Sequence, residues 1–257
     1  MMDDMQTMSK YKSVYLLPNL LTSLCLFSGF YSIISSIKGN YTLAAEAILL
    51  AAVFDGLDGR VARLTKTTSR FGVEYDSLSD LISFGVAPGI LGFLWGLQGY
   101  GRLGWLAAFL YVATTALRLA RFNTLSMAGS SSKAYFLGLP CPSAAAMVAT
   151  SVLFCNYLGM QEQVHSPWIL GMMYGVAFLM VSNIHYYSFK EMPWLRQHPF
   201  SGLIIILLLL SVTAIEYKIT LFAIFLTYIL SGPILFPFKF LKKKTPEDIT
   251  HTTEVQS

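Results

Sequence analysis

Four aspartates, Asp55, Asp58, Asp76 and Asp80, stand in stretches otherwise apolar enough to lie in a bilayer. An ionised side chain there is costly, and intramembrane acids are functional by default. Their spacing narrows the chemistry. Asp55 and Asp58 are three residues apart and Asp76 and Asp80 four apart, so on two helices each pair projects from one face. Two such faces turned together make a carboxylate cluster whose charges repel unless cations neutralise them, and oxygen-only ligands suit hard divalent ions such as Mg2+ or Mn2+. All four are therefore candidate metal ligands. Gly56, Gly59, Ala62 and Gly72 lie on the same segments and let a planar group approach the backbone, although in membranes small residues also serve close helix packing. The competing reading is that these acids pair with Arg60, Arg63 and Arg70 merely to fold.

A second set of polar residues lies further along. Arg118 and Arg121, three residues apart, can point from one helix face into a common cavity and offer guanidinium forks suited to a carboxylate or phosphate. Asn19 and Thr22 share a face at the start of the first apolar run, where they could reach a bound headgroup or bond neighbouring helices. No Ser or Cys stands beside a His in the motif region, and His165, His185, His198 and His251 are each isolated in sequence. A covalent enzyme intermediate is thus not expected. Cys25, Cys141 and Cys155 have no metal-ligand spacing and read as packing residues.

The elements that must carry these groups are membrane helices. Of 257 residues 54% are hydrophobic and 12% charged, with mean hydropathy +0.56, which is the composition of one polytopic, all-α bundle. Apolar runs at about 17–37, 41–64, 71–97, 103–120, 136–158, 168–187, 201–214 and 219–236 give about eight spans, with the seventh short. Residues 1–16 read as an N-terminal interfacial segment, 17–241 as the membrane domain, and 242–257 as a polar tail. Pro18 is placed at a helix start. The first residues carry Asp3 and Asp4 rather than a basic run before a short apolar core, so no cleavable signal peptide is expected. The net charge of +4 forms no basic stripe with interleaved aromatics, so nucleic acid is not an expected partner.

Alternating the loops from an internal N-terminus places fifteen Lys and Arg residues inside and only Lys38, Arg102 and Lys218 outside, which accounts for all 18. Such asymmetry orients both termini and the aspartate cluster towards the cytoplasm. The two aspartate pairs meet there because their helices run in opposite directions.

Written out, the acidic stretch is Asp55-x2-Asp58-Gly59-x2-Ala62-Arg63-x8-Gly72-x3-Asp76-x3-Asp80. It resembles the signature of the CDP-alcohol phosphotransferase family, with every fixed position filled and no insertion. The resemblance implies a CDP-linked donor with CMP leaving, and two divalent cations, Mg2+ or Mn2+, held by Asp55, Asp58, Asp76 and Asp80. Asp80 would double as a metal-proximal general base. Asn19, Thr22, Asp58, Gly59, Ala62, Arg63 and Gly72 would form the nucleotide and diphosphate pocket. Arg118-Leu119-Ala120-Arg121-Phe122-Asn123, together with Phe136-x-Gly138-Leu139-Pro140-x-Pro142-Ser143, is similar to the bacterial and archaeal branch of that family whose donor is CDP-diacylglycerol and whose acceptor is L-serine. Arg118 and Arg121 would then bind the acceptor. The family resemblance further implies a homodimer in the cytoplasmic membrane of a bacterium or archaeon. On the residues alone, glycerol phosphate, choline or inositol phosphate stays open as acceptor, and so does a cation transporter with an acidic ion path.

Overall fold

The polypeptide begins as one long helix that does not stop at its proline. In the computed structural model, which describes residues 2–65, 67, 69–127, 135–160, 167–187, 207, 211, 213 and 215–242, α1 runs unbroken from Met2 to Ile37 with Pro18 inside it. The helix start expected at Pro18 is thus not found, the helix being under way from Met2. A proline removes a single helix N–H, and in this helix neither that loss nor the ring ends the run. What ends α1 is Gly39, at φ 78°, with the Asn40 N–H closing back on the Ser35 carbonyl at 2.9 Å. Only a residue without Cβ takes that left-handed position cheaply.

Across this turn α2 (Tyr41–Thr65) returns antiparallel, burying Ala44, Ala45, Ala47, Ile48 and Ala51 on an alanine-rich face. The third run opens with α3 (Arg70–Asp80), capped by Ser69, whose hydroxyl accepts the Gly72 N–H at 3.0 Å. It continues without a break through a π-helical segment (Leu81–Val86), α4 (Ala87–Gly92), a second π segment (Phe93–Leu97) and a short 3-10 turn (Gln98–Tyr100). Then come α5 (Arg102–Met127), β1 (Tyr135–Leu137), α6 (Cys141–Tyr157), α7 (Pro167–Val181), β2 (His185–Tyr187) and α8 (Tyr217–Lys242).

Among the described residues four helical runs are long and apolar enough to cross a membrane, Leu17–Ile37, Arg70–Tyr100, Arg102–Leu125 and Tyr217–Ile234, with Cys141–Tyr157 and Pro167–Val181 as shorter apolar companions. The chain is an integral membrane helix bundle. The expected seventh span, 201–214, lies outside the described residues except at 207, 211 and 213.

Helix α3 and the π segment after it are fastened to α1 by hydroxyls, with Ser23 and Tyr75 bonded to each other at 2.9 Å. Ser79 donates to the Thr22 carbonyl at 3.1 Å and Ser83 to the Cys25 carbonyl at 3.0 Å. Gly29 makes this approach possible, since a Cβ there would collide with the Ser83 backbone. At the opposite end of the bundle Tyr217 donates to Glu46 at 3.0 Å, which ties α8 to α2, and Asn156 donates to Thr42 at 2.6 Å, which ties α6 to α2.

The sixth expected span is shorter than its apolar run. Helix α7 stops at Val181 because Ser182 turns its hydroxyl back to the Leu179 carbonyl at 2.8 Å, after which residues 185–187 pair antiparallel with 135–137. Two three-residue strands therefore interrupt an otherwise helical architecture. Gly138, at φ 75°, lets this strap dock on α7: its N–H reaches the Ile184 carbonyl at 2.9 Å, and the Leu139 N–H reaches that of Leu179 at 3.0 Å. A Cβ at 138 would strike the Met180 carbonyl, which is backbone and cannot yield. Gly138→Ala should therefore destabilise the folded protein by about 2–4 kcal/mol, measured as a lowered unfolding midpoint in detergent. An unchanged midpoint would remove the strap's structural role.

Candidate active site

The acidic residues reach one place because α2 and α3 are antiparallel and meet at the same end of the bundle. One carboxylate oxygen from each of Asp55, Asp76 and Asp80 lies within 4.8 Å of the others. Each of the three residues is half-buried. Asp80 Oδ1 is a buried atom with no hydrogen-bond partner among the described residues. A buried carboxylate oxygen without a donor is costly, and two further carboxylates beside it raise the cost. A hard cation satisfies all three oxygens at once, so the donor set fits a divalent metal.

Asp58 stands apart from that trio. It is 4% exposed, and its Oδ2 accepts the Thr22 hydroxyl at 2.7 Å, a bond between α1 and α2. The Arg63 guanidinium is the opposite charge acting on it. It remains near enough to Asp76 and Asp80 for the like charges to be felt. Three of the four expected ligands thus share one locus, and the fourth sits at its edge in the grip of a threonine.

Beside the carboxylates opens a cleft of about 160 Å3, and all seven residues expected to hold nucleotide and diphosphate line it: Asn19, Thr22, Asp58, Gly59, Ala62, Arg63 and Gly72. Helix α1 gives the first two, α2 the next four and the first turn of α3 the last. Pro18, Thr67, Ser69, Val73 and Asp76 complete the wall. A side chain at Gly72 would press on Asn19 Oδ1 at 3.4 Å and Ser69 Oγ at 3.2 Å, so the glycine keeps this wall flat. Val73 of this wall is exposed, as are Leu17, Leu64 and Phe71, each next in sequence to a wall residue.

The two arginines of α5 do not share a partner. Arg118 is half-buried and donates from one Nη to the Cys141 sulfur at 3.4 Å, while its buried Nε finds no acceptor among the described residues. It is close enough to Asp80 for their opposite charges to attract. Arg121 is exposed and donates instead to Asn183 at 2.9 Å, in the turn between α7 and β2. The two arginines expected to share a cavity thus have different partners, and Arg118 is the one whose charge reaches Asp80. Asn123, from the same segment, donates to Ser77 at 2.9 Å and so ties α5 to α3 beside Asp76.

Four of these residues carried no sequence signal as site members. Ser69 is legible in retrospect as a helix cap within a polar linker. Cys141 looked like packing and is fully buried, but its sulfur is what holds Arg118. Asn183 and Thr67 lie in polar turns whose position depends on folding. The arrangement offers a cleft lined by small residues and Arg63, a carboxylate cluster beside it in which Asp80 Oδ1 has a lone pair to give, and an Arg118 Nε–H without an acceptor among the described residues.

Comparison with known proteins agrees with this geometry. The sequence profile described as CDP-alcohol phosphatidyltransferase matches residues 15–184. The chain is 40% identical over 181 residues to a protein of Helicobacter pylori strain J99 named CDP-diacylglycerol--serine O-phosphatidyltransferase, an alignment covering 70% of this chain and 76% of that one. It is 40% identical over 179 residues to the archaetidylserine synthase of Methanothermobacter thermautotrophicus, with 69% and 72% covered. A Saccharomyces cerevisiae CDP-diacylglycerol--serine O-phosphatidyltransferase is 40% identical over 192 residues, with 70% and 61% covered.

Proposed function

The chain belongs to the CDP-alcohol phosphatidyltransferase family, and from that premise we propose that it transfers the phosphatidyl group of CDP-diacylglycerol to the hydroxyl of L-serine, giving phosphatidylserine and CMP. The observation that carries the reading is the cleft itself. Asp58 and Asp76 line it together with the small residues of α2 and α3, which sets the carboxylate cluster beside it, and Arg118 is close enough to Asp80 for their charges to attract.

Asn19, Thr22, Gly59, Ala62 and Gly72 hold the cytidine and sugar against bare backbone, and Arg63 neutralises a phosphate oxygen. Thr22 fixes Asp58 through its 2.7 Å hydrogen bond, which keeps that carboxylate turned to the cleft wall. Arg118 binds the acceptor carboxylate with the N–H that has no partner among the described residues. Asp80 takes the proton from the acceptor hydroxyl as the new oxygen–phosphorus bond forms; the phosphorus–oxygen bond to CMP breaks, and CMP leaves with the electron pair. Asp55, Asp76 and Asp80, with Asp58 at the edge, would hold two divalent cations, Mg2+ or Mn2+, that supply charge neutralisation for the diphosphate and the departing phosphate. Fifteen basic residues against three support a cytoplasm-facing cleft in the cytoplasmic membrane. A homodimer is the assembly expected of the family.

The test is incorporation. Purified protein in mixed micelles receives CDP-diacylglycerol with labelled serine, glycerol phosphate, choline or inositol phosphate in separate reactions. Label should enter lipid with serine alone, with one CMP released per product. Incorporation of another alcohol in place of serine would overturn the acceptor, and no CMP with any of them would overturn the transferase.

A further inference from the structure

The third membrane run carries a proline in its middle, and another helix answers for it. Pro88 has no N–H to give to a carbonyl of the preceding turn, which is Phe84 in the four-residue register and Ser83 in the five-residue one. In a bilayer an orphan carbonyl must find a donor within the protein. In this turn the Phe84 carbonyl accepts the hydroxyl of Tyr111 on α5 at 3.0 Å, with both Tyr111 and Phe84 fully buried. Local helix geometry shifts as well. Over Leu81–Val86 the turns widen to the π form, and the Ala87 N–H reaches back five residues to Ile82.

This segment starts on Asp80. One turn separates Asp80 from Phe84, and two turns separate Tyr111 from Arg118 on α5. The tyrosine bond therefore ties the run that carries Asp80 to α5, the helix whose Arg118 is close enough to Asp80 for their charges to attract. Gly85 and Gly89 keep the contact close, since a Cβ at 85 would lie 3.2 Å from Thr115 and one at 89 would lie 2.9 Å from Val112. On the opposite side Ser79 and Ser83 hold the same stretch to α1. With α1 on one flank, the hydroxyl of Tyr111 is a polar tie on the other, two turns on from the Asn123–Ser77 bond along the same run.

We propose that Tyr111 is a positioning residue for Asp80: by bonding the Phe84 carbonyl in the turn before Pro88, its hydroxyl holds the π turn that aims Asp80 at the metal cluster and at Arg118. This rests on the metal-binding reading of Asp55, Asp76 and Asp80. Tyr111 touches neither substrate nor metal, so its effect must pass through Asp80.

The experiment is a double-mutant cycle on the full chain in detergent, with Tyr111→Phe, Pro88→Ala and the pair, and Asp80→Asn as reference. Turnover is read together with Mn2+ affinity, the latter from the free-ion EPR signal without substrate. Tyr111→Phe should lower kcat and weaken Mn2+ binding, each about five- to tenfold, with KM for the CDP-linked lipid unchanged. In the Pro88→Ala background the same change should cost less than about twofold, because the N–H restored at position 88 serves that carbonyl in the four-residue register. Wild-type kcat and Mn2+ affinity in Tyr111→Phe, or equal losses in both backgrounds, would overturn the proposal. If Tyr111→Phe does not fold, recovery of folded protein in the pair supports it and failure to recover overturns it. Should wild-type protein bind no Mn2+, or Asp80→Asn keep full turnover, the metal-site reading falls first. An unaffected Tyr111→Phe beside a Mn2+-binding wild type sinks the positioning role alone.

Discussion

Asp80→Asn leaves a folded protein that still binds the CDP-linked lipid and turns it over about 10²- to 10⁴-fold more slowly, the range of a general base removed from its position. Asparagine is nearly isosteric, so the packing of the run after Ser79 is preserved. What changes is one oxygen. Asp80 Oδ1 is the buried acceptor without a donor among the described residues, and an amide group in its place brings N–H bonds towards Asp55 and Asp76 and cannot accept a proton. Two roles of Asp80 separate in this variant. If it served only as a ligand, raising Mn2+ to saturation would restore most of the turnover. If it is the base, saturating metal leaves the deficit in place. CMP release in single-turnover mixing, at several Mn2+ concentrations, reads both. Activity close to wild type would reject Asp80 in either role.

Arg118→Ala is the second large effect, and it should fall on the acceptor. Loss of a charge-assisted hydrogen bond to a carboxylate is expected to raise KM for serine about 10- to 150-fold, with KM for the lipid donor little changed. Lysine should not rescue it, because the buried Nε and the Nη that reaches Cys141 belong to one rigid fork that an ammonium cannot copy. Arg121→Ala is the internal control. Arg121 is exposed and already donates to Asn183, so its removal should shift KM by no more than about threefold. Should Arg121→Ala prove the more damaging of the two, the acceptor sits at the turn between α7 and β2, and Arg118 only balances the acidic cluster.

Much of this site is legible in the sequence because it is built on regular helices. Three- and four-residue intervals translate directly into a shared face, so Asp76 and Asp80 could be placed together, and the small residues Gly59, Ala62 and Gly72 could be placed on a common wall. The antiparallel order of α2 and α3 followed from their span lengths and the polar linker 65–70 that joins them. Contacts between distant segments were not legible. Thr22 meets Asp58 across 36 residues, and nothing local marks Thr22 as that partner rather than as a packing hydroxyl. Arg118 and Arg121 share a helix face by spacing, but Cys141 and Asn183, supplied by other elements, draw them apart.

Hydropathy also missed the strap. Residues 168–187 read as one apolar run, yet Ser182 and Asn183 are enough to end the helix, and pairing with residues 135–137 then sets the path of the chain through residues 185–187. Pro18 misled in the other direction. A proline is compatible with either a helix start or a long helix that tolerates it, and composition cannot choose between them. Pro88 stands inside an apolar run with no local sign of its consequence, and only the donor from Tyr111 shows why the run survives.

The exposed apolar side chains of Leu17, Leu64, Phe71 and Val73, in the cleft wall or next to it in sequence, bear on how the protein meets its two substrates. A donor with two acyl chains need never leave the leaflet; it can drift sideways until its headgroup tips into the cleft, while the small amino acid and the released nucleotide exchange through water. Occupancy is then governed by how crowded the donor is among its neighbouring lipids and not by how much of it the suspension contains. Enlarging the bilayer with inert lipid at constant total donor would slow the enzyme, as though the substrate had been diluted within a two-dimensional solvent.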